Sequence, residues 1–174
     1  DQASAASVQR PDIGNAMAMP GGNGYERLMA KSKMKNSRFA GELLVAAELT
    51  RLGLSVAMHN QFGLNTKNFD LAVSNDAGEG VQIQVKALKG PNAFLVDPER
   101  ILQKVVYVFV IVGEAGTLPS FFVARGDEIL KREKSLFGKW GRNYDKKHGR
   151  GFQSSLLPAE WQDNWSGMGL SAIP

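Results

Sequence analysis

Asp70, Gln84 and Lys86 bring a carboxylate, an amide oxygen and an ammonium into one short stretch of the chain, residues 69–88. Such groups can bind ions and transfer protons. Two alternating apolar runs flank a linker rich in turn-forming residues, a pattern that predicts a β-hairpin. Alternate side chains of a strand share a face, so the three polar groups lie together. A turn centred near Gly78 would place Asp70 opposite Lys86, with Gln84 on the diagonal.

A second acidic residue, Glu42, lies on the predicted helix that precedes this hairpin. The apolar spacing predicts a helix over Ser37–Leu52, capped by Asn36 or Ser37 and ended by Gly53. At about 100° per residue, Glu42 falls inside the apolar arc of this helix. A carboxylate on a buried stripe costs free energy unless it is paired. Glu42 therefore either reaches the helix edge or a lysine, or points towards a metal ion or a catalytic lysine.

The remaining pattern predicts one α/β domain over residues 37–165, between a flexible basic arm (1–36) and a tail (166–174). Val105–Val112 is apolar throughout and rich in β-branched residues, which indicates a central strand buried on both faces. Two tryptophans near the end of the domain are expected to fold back on the core. The other predicted elements are a strand at Leu54–His59, a helical turn at Asp97–Lys104, a strand at Leu118–Ala124 and a helix at Asp127–Phe137.

Composition excludes several kinds of site. The 174 residues contain no cysteine, which rules out disulfides, thiolate zinc sites and cysteine nucleophiles. The two histidines, His59 and His148, are too far apart in sequence to suggest a multi-histidine metal site. The phosphate-loop and serine-hydrolase motifs are both absent. No apolar run has transmembrane length and no secretory pattern is evident, so we expect a cytoplasmic protein.

Basic residues cluster in two places, and the net charge of +4 permits an anionic partner. One cluster precedes the first helix. The other lies between residues 131 and 150, where Trp140 and Tyr144 are interleaved with the cations. Both clusters suit contacts with phosphates, and the aromatic rings suit base stacking. Solvated charged surfaces are the alternative interpretation. The candidate nucleic-acid-binding residues are Lys35, Arg38, Lys67, Lys139, Arg142, Lys146, Lys147 and Arg150.

The order of these parts resembles the PD-(D/E)XK nuclease superfamily. Its motif matches Glu42 in GELLVAAELTRLG, Asp70 in NFDLAV and Gln84-Val85-Lys86 in VQIQVKAL. The resemblance covers roughly residues 37–124. One position departs from the usual pattern, because Gln84 stands where an Asp or Glu is common. The Mrr-type restriction endonucleases are similar in using Gln-x-Lys.

The resemblance implies a restriction-endonuclease-like core in αβββαβ order, with a mixed sheet of about five strands flanked by helices. It implies hydrolysis of DNA phosphodiester bonds with Mg²⁺, for which Mn²⁺ can substitute, and it allows a homodimer. Asp70, Gln84, the Val85 carbonyl and Glu42 would hold the metal, and Lys86 would activate water. Two alternatives stay open: a module that binds nucleic acid without cutting it, and a protein-binding module whose hairpin face is merely solvated.

Overall fold

The computed structural model describes residues 22–59, 69–138 and 150–171. Five strands form one mixed sheet in the order β1-β2-β3-β5-β6, and β4 and β7 form a separate two-stranded ribbon. The α/β class and the five-stranded mixed sheet flanked by helices are therefore confirmed. The strands are β1 Ser55–Met58, β2 Leu71–Ser74, β3 Gly80–Leu88, β4 Ala93–Leu95, β5 Val106–Ile111, β6 Ser120–Arg125 and β7 Gly151–Gln153; the helices are α1 Gly22–Arg51, α2 Gly126–Lys131 and α3 Glu133–Phe137.

Helix α1 begins earlier than predicted and ends where predicted. It starts at Gly22, so the expected cap at Asn36 or Ser37 is wrong and residues 22–36 continue the helix. At the other end Gly53 has a φ of +77°. The Leu54 N–H donates to the Leu49 carbonyl at 3.1 Å, and the Gly53 N–H donates to the Thr50 carbonyl at 3.0 Å. This pair of bonds is a Schellman motif, which requires a residue in the left-handed conformation.

The hairpin is present, but its register differs from the prediction. Ser74 pairs with Gly80 and Leu71 with Ile83, so the turn is centred at Ala77. Regular pairing stops at Leu71, and the Asp70 N–H donates to the Ile83 carbonyl at 2.8 Å. Lys86 therefore does not lie opposite Asp70 as predicted. The reason is the turn, which hydrogen bonds between Asn75 and Glu79 close. Its centre lies one residue before Gly78, so the partner of each β2 residue shifts by two positions.

The connection from β3 to β5 contains no α-helix, which corrects the αβββαβ prediction at this point. Strand β4 pairs instead with β7, far along the chain. The predicted helical turn at Asp97–Lys104 is a single 3₁₀ turn, Pro98–Arg100, in which the Asp97 side chain accepts a hydrogen bond from the Glu99 N–H. Strand β5 then runs parallel to β3 and antiparallel to β6.

Two hydrophobic layers cover the two faces of the sheet. In one layer, residues of α1 such as Val45 pack against alternate residues of β2, β3 and β5, which include Leu71 and Val85. The other contains Tyr107 and Phe109 of β5. Strand β5 contributes to both layers, which confirms a central strand buried on both faces. The second layer is completed by residues of α2, α3, β4 and β7, including Phe94, Ile129, Phe137 and Phe152.

The C-terminal segment folds back onto the sheet, as predicted. Trp161 joins the second layer and Trp165 joins the first. The predicted helix at Asp127–Phe137 is two short helices separated at Arg132. Within the described part of the chain, no helix is both long enough and apolar enough to cross a membrane.

Candidate active site

Glu42 and Asp70 are the two buried charged residues in the described part of the chain, with 2% and 5% of their surfaces exposed. Glu42 comes from α1, and Asp70 precedes β2. Helix α1 reaches the sheet closely because Gly41 faces Ala87 of β3. A Cβ at Gly41 would lie only 2.3 Å from the Ala87 Cβ. The absent side chain at Gly41 therefore allows the helix to carry its neighbour Glu42 down towards the sheet.

The backbone of the hairpin fixes Asp70. Its Oδ2 accepts a hydrogen bond from the Val85 N–H at 2.8 Å. Its own carbonyl accepts a bond from the His59 N–H at 3.0 Å, so the residue is tied to β1 and β3 together. A buried carboxylate held by a main-chain donor has little freedom to rotate. Asp70 is thus held immediately before β2 in one orientation.

Arg38 bridges the two buried carboxylates. Its Nε lies 3.0 Å from Glu42 Oε1, and its Nη2 lies 2.9 Å from Asp70 Oδ1. Burial opposes the charge on Arg38, but the Asp70 charge and the hydrogen bonds with both carboxylates outweigh it and raise the pKa of the guanidinium. The two acids, which repel each other in a poorly hydrated place, are stabilised by this shared cation.

Lys86 lies in an open pocket of about 480 Å³ next to this cluster. Burial lowers the pKa of the Lys86 ammonium; the Asp70 charge opposes that effect and the Arg38 charge adds to it. A lysine of this kind is more easily deprotonated than one in water, which suits a proton-transfer role. The pocket is lined by Arg38, Gln84, Lys86, Leu95, Val96, Asp97, Arg100, Ile101, Leu102 and Tyr107.

The structure brings the predicted catalytic residues into two adjoining groups. Glu42 and Asp70 meet at Arg38, and Gln84 and Lys86 line the pocket that Arg38 also lines. Val85 contributes its N–H to Asp70, whereas the resemblance implies a role for its carbonyl. The glutamate faces inward, and its Oε1 accepts a hydrogen bond from Arg38 Nε at 3.0 Å.

The predicted nucleic-acid-binding residues are only partly described. Arg38 is held between the two acids, although 63% of its side chain is exposed. Arg150 is paired with Asp97 and Glu99 at 3.4 and 2.6 Å. The side chain of Lys35 and the whole of Lys67, Lys139, Arg142, Lys146 and Lys147, with the interleaved Trp140 and Tyr144, lie outside the described residues.

The donor groups of this site suit Mg²⁺ in type. Magnesium is usually held by one or two carboxylates and several waters. Asp70 and Glu42 supply two carboxylates that already share a cation, and Gln84 supplies an amide oxygen nearby. The described residues hold no group of three or more His, Cys, Asp or Glu that could bind a metal. Coordination by both carboxylates also requires Arg38 to leave the position between them.

The sequence analysis did not predict the ion-pair role of Arg38 or the contributions of Gly41, Arg100 and Tyr107 to the site. Arg38 stands four residues before Glu42, a spacing that places them on one helix face and could have indicated the ion pair. Gly41 could have indicated a close helix–strand approach. Arg100 and Tyr107 line the pocket, but the residues around them in sequence do not predict it. Arg100 lies in the connection between β3 and β5 and Tyr107 lies in β5, and both come close to β3 only in the folded chain.

Comparisons with protein-family models, with curated proteins and with solved structures find no match to this chain.

Proposed function

We propose that this chain hydrolyses phosphodiester bonds in DNA with the help of Mg²⁺ or Mn²⁺. The observation that carries the proposal is the meeting of two buried carboxylates, Glu42 and Asp70, on one cation beside the half-buried Lys86. Buried charges without a structural or chemical role are rare, because desolvation opposes them. Perturbed ionisable groups in a cleft are frequently functional.

The arrangement of strands supports a restriction-endonuclease-like core as part of the same proposal. An antiparallel β1-β2-β3 meander is followed by β5, parallel to β3, in the order that the resemblance implies. Helix α1 covers the face of the meander and carries the glutamate. The difference lies in the crossover, which uses a short strand and a 3₁₀ turn where the resemblance implies a helix.

Each residue of the site has a role that follows from its position. A divalent ion held by Asp70, Glu42 and Gln84 would acidify a water and offset charge on the reacting phosphate. Lys86 would orient the attacking water, and because its pKa is lowered, a larger fraction of it is neutral and available to accept the proton. Arg38, once released from the acids, can bind a non-bridging phosphate oxygen from the same pocket. The main-chain bond from Val85 keeps Asp70 oriented throughout.

The test is cleavage of supercoiled plasmid by the pure protein with Mg²⁺ or Mn²⁺, beside an EDTA control. Asp70→Asn removes one charge of the site with little change of shape. Asp127→Asn is a matched control, because Asp127 pairs with Arg125 and Lys131 on α2, outside the pocket. We expect nicking that requires the metal, that Asp70→Asn abolishes and that Asp127→Asn preserves. Cleavage that survives Asp70→Asn would contradict the assigned site.

A second candidate function is binding of nucleic acid without cleavage. Arg38 favours it, because the guanidinium already satisfies both carboxylates. Gln84 favours it as well, since a neutral amide is a weaker metal ligand than a carboxylate. This function predicts a salt-sensitive gel shift that persists in EDTA and in the Asp70→Asn variant. Metal-dependent nicking lost in Asp70→Asn would exclude it.

A further inference from the structure

The pocket beside Lys86 has one charged side. Arg38, Lys86 and Arg100 line it together with a single acid, Asp97. That acid is itself engaged with cations, because Asp97 lies 3.6 Å from Arg100 Nε and 3.4 Å from Arg150 Nη1. Arg100 and Arg150 offset Asp97, and Arg38 is shared with Glu42 and Asp70, so the positive charge that faces the pocket comes from Lys86 and from the exposed part of the Arg38 side chain. This side of the pocket suits an anion such as a phosphodiester.

The pocket also has an apolar side. Leu95 and Leu102 belong to the lining and are two of the large hydrophobic side chains that remain exposed. Val96 and Ile101 lie buried beneath them. The hydroxyl of Tyr107 accepts a hydrogen bond from the Leu102 N–H at 3.0 Å, which ties this segment to β5. A fixed apolar surface beside a phosphate site can pack against the face of a base.

Size agrees with a ligand of about one nucleotide. A volume of about 480 Å³ lies within the range of pockets that bind small molecules and cofactors. The sugar-phosphate backbone of a duplex would engage the cations alone, because paired and stacked bases expose only their edges. The two exposed leucines gain a partner only when a base is unstacked.

We propose that this pocket holds one unpaired nucleotide of single-stranded DNA, with its phosphate at Arg38, Lys86 and Arg100 and its base against Leu95 and Leu102. The proposal rests on the proposed function and names its substrate class. It adds Arg100, Leu95 and Leu102 as residues that select the substrate. Double-stranded DNA would bind through phosphate contacts alone and therefore more weakly.

The test is fluorescence anisotropy in EDTA, which prevents cleavage during the measurement. The probes are a labelled single-stranded oligonucleotide, its blunt duplex and the same strand with abasic sites. We expect the single strand to bind about tenfold more tightly than the duplex, and the abasic strand to bind like the duplex. Equal or tighter binding of the duplex would overturn the proposal.

Matched variants separate the base contact from the charge contact. The double variant Leu95→Ser/Leu102→Ser should weaken single-strand binding about fivefold and leave duplex binding unchanged. Leu118→Ser is its control, because Leu118 is an exposed leucine of the β5–β6 turn and outside the pocket. Arg100→Gln should weaken both ligands, whereas Arg51→Gln, an exposed arginine paired with Glu48, should weaken neither. Equal losses for both ligands in the leucine variant would overturn the base contact.

Failure of this inference can be told from failure of the proposed function. Metal-dependent cleavage of relaxed duplex, with no preference for single strands, would keep the function and refute the substrate class. A single-strand preference that the leucine variant removes, without any cleavage, would keep the pocket and refute the hydrolysis. Absence of binding to every probe, together with absence of metal-dependent cleavage, would refute both.

Discussion

In the described part of the chain, two clusters each contain an arginine that bridges two carboxylates, and their burial is reversed. In the first cluster Arg38 joins Glu42 and Asp70; the acids are buried and the arginine side chain is 63% exposed. In the second cluster Arg150 joins Asp97 and Glu99; the arginine is 18% exposed, and the acids are 32% and 72% exposed. Arg100 also approaches Asp97, at 3.6 Å. In the first cluster it is the arginine that contacts water, and in the second cluster it is the acids.

This difference separates a structural ion pair from the cluster at which we propose that a metal ion binds. The second cluster would lose its arginine without leaving any buried charge, since both acids are hydrated. The first cluster would be left with two poorly hydrated anions, and another cation would then be favoured between them. The first cluster thus needs a positive charge, and the exposure of Arg38 means that this charge can be exchanged from solvent.

The largest expected effect on stability comes from a substitution that separates α1 from β3, since this close contact buries the first cluster. Gly41→Ala places a Cβ against Ala87 and should lower the free energy of unfolding by about 2 kcal/mol, with about 3 lost to overpacking and about 1 regained in helix propensity. Chemical denaturation measures it.

Two further variants show whether contact with Ala87 is the cause. Ala87→Gly in the Gly41→Ala background should restore most of the stability, because it removes the opposing methyl group. Gly90→Ala is the control, since a Cβ there meets nothing within 4 Å. A second-site variant that restores nothing would show that the helix does not depend on this approach.

The arginines test the comparison directly. Arg38→Ala should lower stability by about 1.5 kcal/mol, because two buried carboxylates lose the cation that they share. Arg150→Ala should lower it less, because its partners are hydrated. Millimolar Mg²⁺ should raise the melting temperature of the Arg38→Ala protein more than that of wild type or Arg150→Ala. Equal responses of the three proteins to Mg²⁺ would show that the buried acids do not form a cation site.

The pH dependence of stability tests how strongly the region beside the first cluster desolvates Lys86. Its pKa is lowered from 10.5 because burial disfavours the charged form, so the folded protein binds its proton less tightly than the unfolded chain does. The buried Lys86 ammonium therefore lowers the free energy of unfolding. This destabilisation is fully present below the lowered pKa and disappears as pH rises towards 10.5. Lys86→Met should therefore stabilise the protein by about 1 kcal/mol at pH 7 and by less at pH 10. Thermal melts across that range measure it, and a gain that grows with pH would contradict it.

The smallest effect is expected at a carboxylate outside both clusters. Hydrogen bonds from the Ser171 hydroxyl and N–H and from the Asn75 amide lower the pKa of Glu79. Its stabilising contribution is present above pH 4.5 and is lost as pH falls through the lowered pKa. Glu79→Gln should shift the melting temperature slightly at pH 7 and not at all at pH 2. A shift as large as that of Arg38→Ala would show that burial does not distinguish these acids.

Local patterns predicted the elements of the fold, and long-range contacts decided the site. Alternation and β-branching were enough to find the hairpin and the buried strand β5, and Gly53 was enough to end α1. The register was missed because it depends on how Asn75 closes the turn with Glu79, a side-chain geometry that apolar spacing does not encode. Arg38 was interpreted as a phosphate ligand because its partner Asp70 is 32 residues away in sequence.

The C-terminal segment crosses the edge of the sheet between its two tryptophans. Gln162 pairs with Phe122 of β6, so the chain passes around that edge from the layer of Trp161 to the layer of Trp165. A sheet covered by two separate hydrophobic layers could unfold in two steps, one face at a time. Because one segment packs against both faces of the sheet, its detachment exposes both hydrophobic layers together. We therefore expect unfolding to be cooperative across the whole sheet. Glu42 and Lys86 lie on different faces of the sheet, and both should lose their native contacts in the same transition.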